Sequence, residues 1–400
     1  MNNPKRRVAV VAAAFPPAVG GGVAAAHHQL AGLLQKAGAE VRRFSFLDSL
    51  PSEQGTIRRD SPLVWKRISR RVCALAFRLL DPSGRAYQTA DILECWPGAY
   101  KLKSEISAFA PDEIILPDHG CPGLALGKWP KSARVTLVSH HNPMRFVNQA
   151  GLNAHSRLDA RSAVLLESLS LRHVDRVVAP CLYMADCFKS TYRFSGPVDV
   201  IPNLIDFESL DDVISHDPRP EMGLAPDAKL VYVPSAGSVF KGSKILPELL
   251  ARLCKLVSEP FGVFLSGSMT VEQLGKLPVG LPVHAPGYLS VCDNLARVKS
   301  CNLALSPTLI ENFSMALLEA QLLGLPVASF DVGGNAELIE EGVTGRLAKP
   351  GDVEALARLA STLLPEALGD RLSNIRYRSR LRFDPDRWLS AWAGQDAQST

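Results

Sequence analysis

The chain has 400 residues, 46% of them apolar and 21% charged, a balance that suits a soluble globular protein with two sizeable cores. A formal net charge of +4 is too mild to point to nucleic acid, though it suits anionic ligands. The eight cysteines are scattered, with no Cys-x-x-Cys and no Cys/His cluster, so neither a structural zinc nor a disulfide framework is indicated and a reducing, cytoplasmic setting is the simplest reading.

No apolar run reaches the length of a membrane span. Met1–Arg7 is basic, but the apolar segment after it is short and stops at Pro16-Pro17, so it reads as a strand and not a signal peptide. Val8–Ala14 has the continuous apolar pattern of a central parallel strand. Gly20-Gly21-Gly22 follow, then a helix from Val23 to Lys36 closed by Gly38, then a strand from Val41 to Phe46. This is the repeating unit of a doubly wound sheet. The glycines are not spaced as Gly-x-Gly-x-x-Gly, so a dinucleotide fingerprint is not met.

Residues 58–80 carry seven basic side chains (Arg58, Arg59, Lys66, Arg67, Arg70, Arg71, Arg78) against one acid, Asp60. Val64, Ile68, Val72, Leu75 and Leu79 recur at helical spacing, with Trp65 near the start. Two readings stand: a surface helix packing its apolar side on the domain, or a contact with an anionic membrane face or a lipid-linked acceptor.

Strands follow at Glu113–Leu116, ending in Pro117-Asp118-His119-Gly120, and at Val135–Ser139, ending in His140-His141-Asn142-Pro143. Both endings lie at strand carboxyl ends, where open α/β sheets place ligand groups. A helix over Ser162–Leu171 and a strand over Arg176–Ala179 complete the first half. The Asp- and Pro-rich stretch 207–226 reads as a hinge. Leu230–Val233 opens a second α/β unit, with a loop to Phe240-Lys241-Gly242, a helix from Ser243 to about Val257, and a strand at Gly262–Ser266. Lys241 places an ammonium at a strand-to-helix turn, with Lys244 three positions on.

The most informative stretch is Ser306–Asn335. Glu311 and Glu319 are eight positions apart in apolar surroundings, with a helix start between them for which Asn312 and Ser314 are N-cap candidates. Gly324 and Pro326 end that helix, and Pro326–Phe330 reads as a buried strand running into Asp331–Gly334. Eight helical steps put the carboxylates roughly 12 Å apart, too far to work on one sugar carbon. They suit two ends of a long ligand instead. Free amides and a positive dipole end at the helix start suit a diphosphate, Glu319 a ribose diol and Glu311 a sugar. Together these describe a nucleotide sugar.

The run Glu311-x7-Glu319, Ala320, Gly324–Val327, Asp331–Gly334, Glu337–Ile339 and Gly342–Gly345 closely resembles the signature of family 4 retaining glycosyltransferases. Asn312-Phe313-Ser314 stands where that family usually has Gly-Phe-Gly. Phe15-Pro16-Pro17 with Gly21-Gly22, the strand Val174–Pro180 with Glu167 upstream, and Val200–Asp206 resemble further family elements. Cys181 replaces a usual serine, and no arginine lies between Val233 and Phe240 where relatives often carry one.

The resemblance implies an α/β GT-B fold: two Rossmann-like doubly wound domains facing across a cleft, with a C-terminal helix crossing back to the first. The boundaries expected are 1–204 with 383–400 for the acceptor domain and 205–382 for the donor domain, the last residues Gly394–Thr400 being frayed. It implies transfer of a hexose-type sugar from a nucleotide diphosphate sugar to a sugar or lipid-linked acceptor, with retention, in polysaccharide or glycolipid synthesis. Lys241 would bind diphosphate, Glu311 the sugar hydroxyls and His141 a polar group of the sugar, with His140 the alternative. Gly21, Gly22, Asn312, Phe313 and Ser314 would contact the diphosphate, Glu319 the ribose, and Gly287-Tyr288 the base. No Asp-x-Asp appears where other transferase folds hold a metal, so no metal and no cofactor are expected. A peripheral site on the inner face of a membrane is a further expectation. A nucleotide-sugar epimerase and an inactive GT-B binding protein are the alternatives.

Overall fold

The computed structural model describes residues 5–16, 21–47, 56–80, 87–147, 156–365 and 369–393. Gly20 of the glycine run, and the tail 394–400 expected to fray, lie outside them. The chain divides into two compact units, one made of the residues to Leu204 together with those from Pro385, the other of Ile205–Asp384.

The first unit holds a seven-stranded parallel sheet in the order β3-β2-β1-β4-β5-β6-β7. The strands are β1 (Arg7–Ala12), β2 (Glu40–Ser45), β3 (Thr56–Arg58), β4 (Glu113–Pro117), β5 (Arg134–Val138), β6 (Arg176–Ala179) and β7 (Val198–Val200). β1 is apolar throughout its interior because both faces are covered. Ala9 and Val11 join Phe44, Leu102, Phe109 and Ile114 on one side. Val8, Val10 and Ala12 join Leu30, Leu33 and Leu34 on the other. The final helix, Pro385–Ala393, belongs to this second layer: Trp392 is buried there, and Arg176 donates to the carbonyls of Trp392 at 3.3 Å and Ala391 at 3.0 Å.

The second unit holds a six-stranded parallel sheet in the order β10-β9-β8-β11-β12-β13. These strands are β8 (Lys229–Val233), β9 (Phe261–Ser266), β10 (Val283–Gly287), β11 (Leu303–Ser306), β12 (Val327–Phe330) and β13 (Gly345–Ala348). In each sheet the strand order reverses once, between β1 and β4 and between β8 and β11. In open parallel sheets that reversal opens a crevice at the carboxyl ends.

Several local expectations need correction. Arg58 sits buried in β3 and Arg59 ion-pairs with Glu105, so neither belongs to the basic helix, which runs Leu63–Leu80. That helix buries Ser69, Cys73 and Phe77, and its apolar stripe faces outward. The helix expected from Ser162 starts at Arg157, because Ser156 caps it by accepting from the Asp159 amide. The helix expected from Ser243 starts at Leu246; Lys241 closes a separate 3-10 turn, Val239–Lys241.

Candidate functional site

In the second unit the loops leaving β8 and β11 emerge side by side, since these strands are neighbours at the reversal. Backbone bonds lace them together: the Leu309 and Ile310 amides both donate to the Phe240 carbonyl, at 2.9 and 3.2 Å. This brings Lys241 Nζ to 2.6 Å from Glu311 Oε2, where it donates to the carboxylate. The Lys241 side chain is 31% exposed and that of Glu311 10%, so the pair is shielded without being sealed. The other Glu311 oxygen accepts the Asn312 amide at 3.0 Å.

Two glycines make the close approach feasible. Gly242 has φ 89°, and a Cβ on it would lie 2.1 Å from the Pro307 carbonyl oxygen. Gly333, in the loop after β12, has φ 59°, and its Cβ would lie 2.0 Å from the Glu311 carbonyl oxygen. That third loop is fixed by the Gly334 amide donating to the Asn312 carbonyl at 2.7 Å.

The helix that follows is Met315–Leu322, and of the two cap candidates Ser314 performs the role, accepting from the Leu317 amide. The Phe313 ring packs edge-on against Phe383 at 5.9 Å, so its side chain belongs to the core and only its backbone is available to a ligand. The Asn312 amide is taken by Glu311, whereas the Phe313 and Ser314 amides donate to nothing among the described residues. They are free donors of the kind a helix start presents to an anion.

Glu311 precedes the helix, so a helical rise does not describe the whole span from Glu311 to Glu319. The Glu319 side chain makes no hydrogen bond or ion pair among the described residues. Burial alone pushes its carboxyl up to about 7. Its field reaches Tyr232 in β8, whose phenol is raised to about 12, mainly by burial. Gly287 ends the edge strand β10 at φ 85°, followed by the exposed Tyr288. Lys244 is exposed.

In the first unit, Gly21 and Gly22 open the helix Gly21–Lys36 that follows β1, and both are exposed. After β5 the two histidines diverge. His140 is buried, its Nε2 is 2.8 Å from Asn203 Oδ1, and burial lowers it to about 4. His141 is half-buried; its amide donates to Asp118 Oδ2 at 2.5 Å, and its Nε2 lies 3.1 Å from Gln88 Oε1. The Gln88 amide nitrogen donates to the Pro143 carbonyl at 3.2 Å, which turns its oxygen toward His141. The ring therefore donates from Nε2 to that oxygen.

Sequence reasoning missed Gln88, which lies 53 positions from the histidine it orients. It also missed the partnership of Asp118 with Glu167. Both carboxyls line one cavity with Tyr192, Ser170 and Phe188. Burial raises Asp118 to about 7 and Glu167 to about 8, and the Tyr192 hydroxyl donates to Glu167. For Asp118 the signals were a polar residue at a strand end and a resemblance to a family element of no specific role, and for Glu167 its place before β6 in a run that resembles the family's; neither pointed to the other.

The model of the family described as Glycosyltransferase Family 4 matches residues 20–209, and that of Glycosyl transferases group 1 matches residues 220–382. A D-inositol 3-phosphate glycosyltransferase of Nocardia farcinica is 25% identical over 264 residues, covering 62% of this chain and 57% of that protein. The chain spans about half the length of the curated relatives of this kind that it matches. The sucrose-phosphate synthase of Thermosynechococcus elongatus has the same fold with a TM-score of 0.76, at 18% identity and over 98% of both chains. Anabaena HepE, solved with UDP and glucose, aligns with a TM-score of 0.67 at 19% identity over 97% of this chain and 98% of that one. With two parallel Rossmann-like sheets and two adjoining family matches that leave little of it uncovered, the chain belongs to glycosyltransferase family 4 and has the GT-B fold.

Proposed function

We propose that the protein transfers a sugar from a nucleotide diphosphate sugar to an acceptor hydroxyl, with retained anomeric configuration and without a metal. The observation that carries this reading is the Lys241–Glu311 pair at the β8/β11 reversal, set beside the free amides of Phe313 and Ser314. A diphosphate there meets one ammonium and two N–H donors. As the bond from the sugar carbon to the diphosphate oxygen breaks, the departing group keeps the electron pair, and these donors stabilise its growing charge. The acceptor oxygen takes its place on the carbon, and its proton passes to the departing diphosphate. Glu311 holds sugar hydroxyls, and Glu319, without a protein partner, accepts the ribose hydroxyls.

HepE has been solved in complex with UDP and with UDP-glucose, and that likeness supports a nucleotide-sugar donor. Gly21, Gly22, His141, Gly287 and Tyr288 keep in this proposal the roles the resemblance implies. The acceptor class we infer is a sugar or a lipid-linked sugar, as in cell-surface polysaccharide or glycolipid synthesis.

A thermal-shift screen across UDP-, GDP- and ADP-sugars identifies the donor, and NMR of the product reads the anomeric configuration. Transfer is expected to persist in chelator. A product of inverted configuration, or a rate restored only by added metal, overturns those parts of the proposal. Conversion of the donor with no acceptor present assigns an epimerase instead.

A further inference from the structure

The helix Leu63–Leu80 is inside out for a surface helix. Its 18 residues include five basic side chains and no acid. Ser69, Cys73 and Phe77 form the buried face, Cys73 and Phe77 packing with Ala90 of the neighbouring helix Gln88–Phe109. Val64, Ile68, Val72, Leu75 and Leu79 form a stripe that is 49–77% exposed. At about 100° per residue this stripe lies roughly 140° around the helix from the buried face. Eight of the 23 exposed large apolar side chains among the described residues stand on this one helix.

The charges have a side as well. Lys66 is paired with Asp60 and Arg70 with Glu94. Arg67, Arg71 and Arg78 are exposed, make no ion pair among the described residues, and line one flank of the apolar stripe. Trp65 borders the other flank, its indole N–H donating to the Leu93 carbonyl. No helix among the described residues is long and apolar enough to cross a membrane.

We propose that this helix lies flat on an anionic lipid surface, the stripe seated among acyl chains and Arg67, Arg71 and Arg78 among the headgroup phosphates. An exposed apolar stripe with a cationic flank is complementary to such a surface in both hydrophobicity and charge. A second copy of the chain is the poorer occupant, because it would bring another helix of five basic residues and no acid against the first. The geometry of the helix carries this inference, and it stands whether or not the donor site works as proposed.

The test is co-sedimentation of the full chain with vesicles of phosphatidylcholine, alone or mixed with phosphatidylglycerol, at low and high salt. Binding is expected on the mixed vesicles and to weaken with salt. The triple variant Arg67→Glu, Arg71→Glu, Arg78→Glu is expected to lower the partition coefficient roughly a hundredfold. Val72→Ser, Leu75→Ser, Leu79→Ser is expected to lower it at least about tenfold. All six side chains are exposed, so both variants should melt with the wild-type chain. Absence of binding, equal binding to neutral vesicles, or undiminished binding by either variant overturns the proposal. A wild-type dimer that the serine variant splits overturns it too, since the stripe would then be occupied by a second copy.

Discussion

Lys241 Nζ lies 2.6 Å from Glu311 Oε2, so the cation proposed to meet the diphosphate is held by a carboxylate. The two side chains therefore work as one element. Lys241→Ala and Glu311→Gln should each lower kcat/KM by about a hundredfold or more. The double variant should lose little beyond the worse single one, because groups acting as a unit are not additive. Steady-state kinetics on the donor found by the screen decides this; losses that multiply would separate the two roles.

On the role proposed for Glu319, donor binding should depend on pH. Its carboxyl, raised by burial to about 7, must be ionised to accept two ribose hydroxyls. Affinity should be full near pH 8 and drop by about tenfold near pH 6, with about half a proton released on binding at neutral pH. Calorimetry in buffers of different ionisation enthalpy counts that proton. Glu319→Gln should flatten the profile and abolish the release.

Glu167 makes stability depend on pH in the direction opposite to the usual carboxylate. Burial raises it from 4.5 to about 8, so the folded chain keeps a proton that the unfolded chain gives up. Its contribution is whole below about pH 4.5 and fades as pH rises toward 8. Asp118 shares the cavity and is also raised, to about 7, so the two titrate together. Urea unfolding midpoints should fall between pH 5 and 8. Glu167→Gln, which still accepts from Tyr192, should remove at least about 1 kcal/mol of that fall.

Gly242→Ala and Gly333→Ala should each cost about 3 kcal/mol or more, since a positive φ is combined with a Cβ driven into a carbonyl oxygen. Gly342, at φ 79° with open space around it, is the control; its alanine variant should cost only about 1 kcal/mol. Equal costs at the three positions would mean that the loops yield, and that the lacing around Glu311 is looser than its distances suggest.

The sequence was most readable where apolar runs met Gly and Pro. β1, β6 and β12 and the ends of their neighbours fell close to expectation because strands covered on both faces leave continuous apolar text. Lys241 and Glu311 could be singled out because each lies in the loop after such a strand, eight residues past the end of β8 and five past the end of β11. What was hidden depended on contacts far apart in the chain. Nothing near His141 announces Gln88, and nothing near Glu167 announces Asp118. The amphipathic pattern of 63–80 gave the helix but not which side faces the protein. Small and aromatic residues, Ser69, Cys73 and Phe77, won the interface over the longer aliphatic stripe.

The helix Pro385–Ala393 closes the first unit, although the whole of the second unit is translated before it. A nascent chain halted at Asp384 would hold every strand of the first sheet and still leave Leu30, Leu33 and Leu34 without the indole of Trp392. Arg176, buried at 7% exposure, would lose two carbonyl acceptors at the same moment. An amino-terminal fragment made alone should thus be sticky and short-lived, and supplying the missing helix as a separate peptide should rescue it.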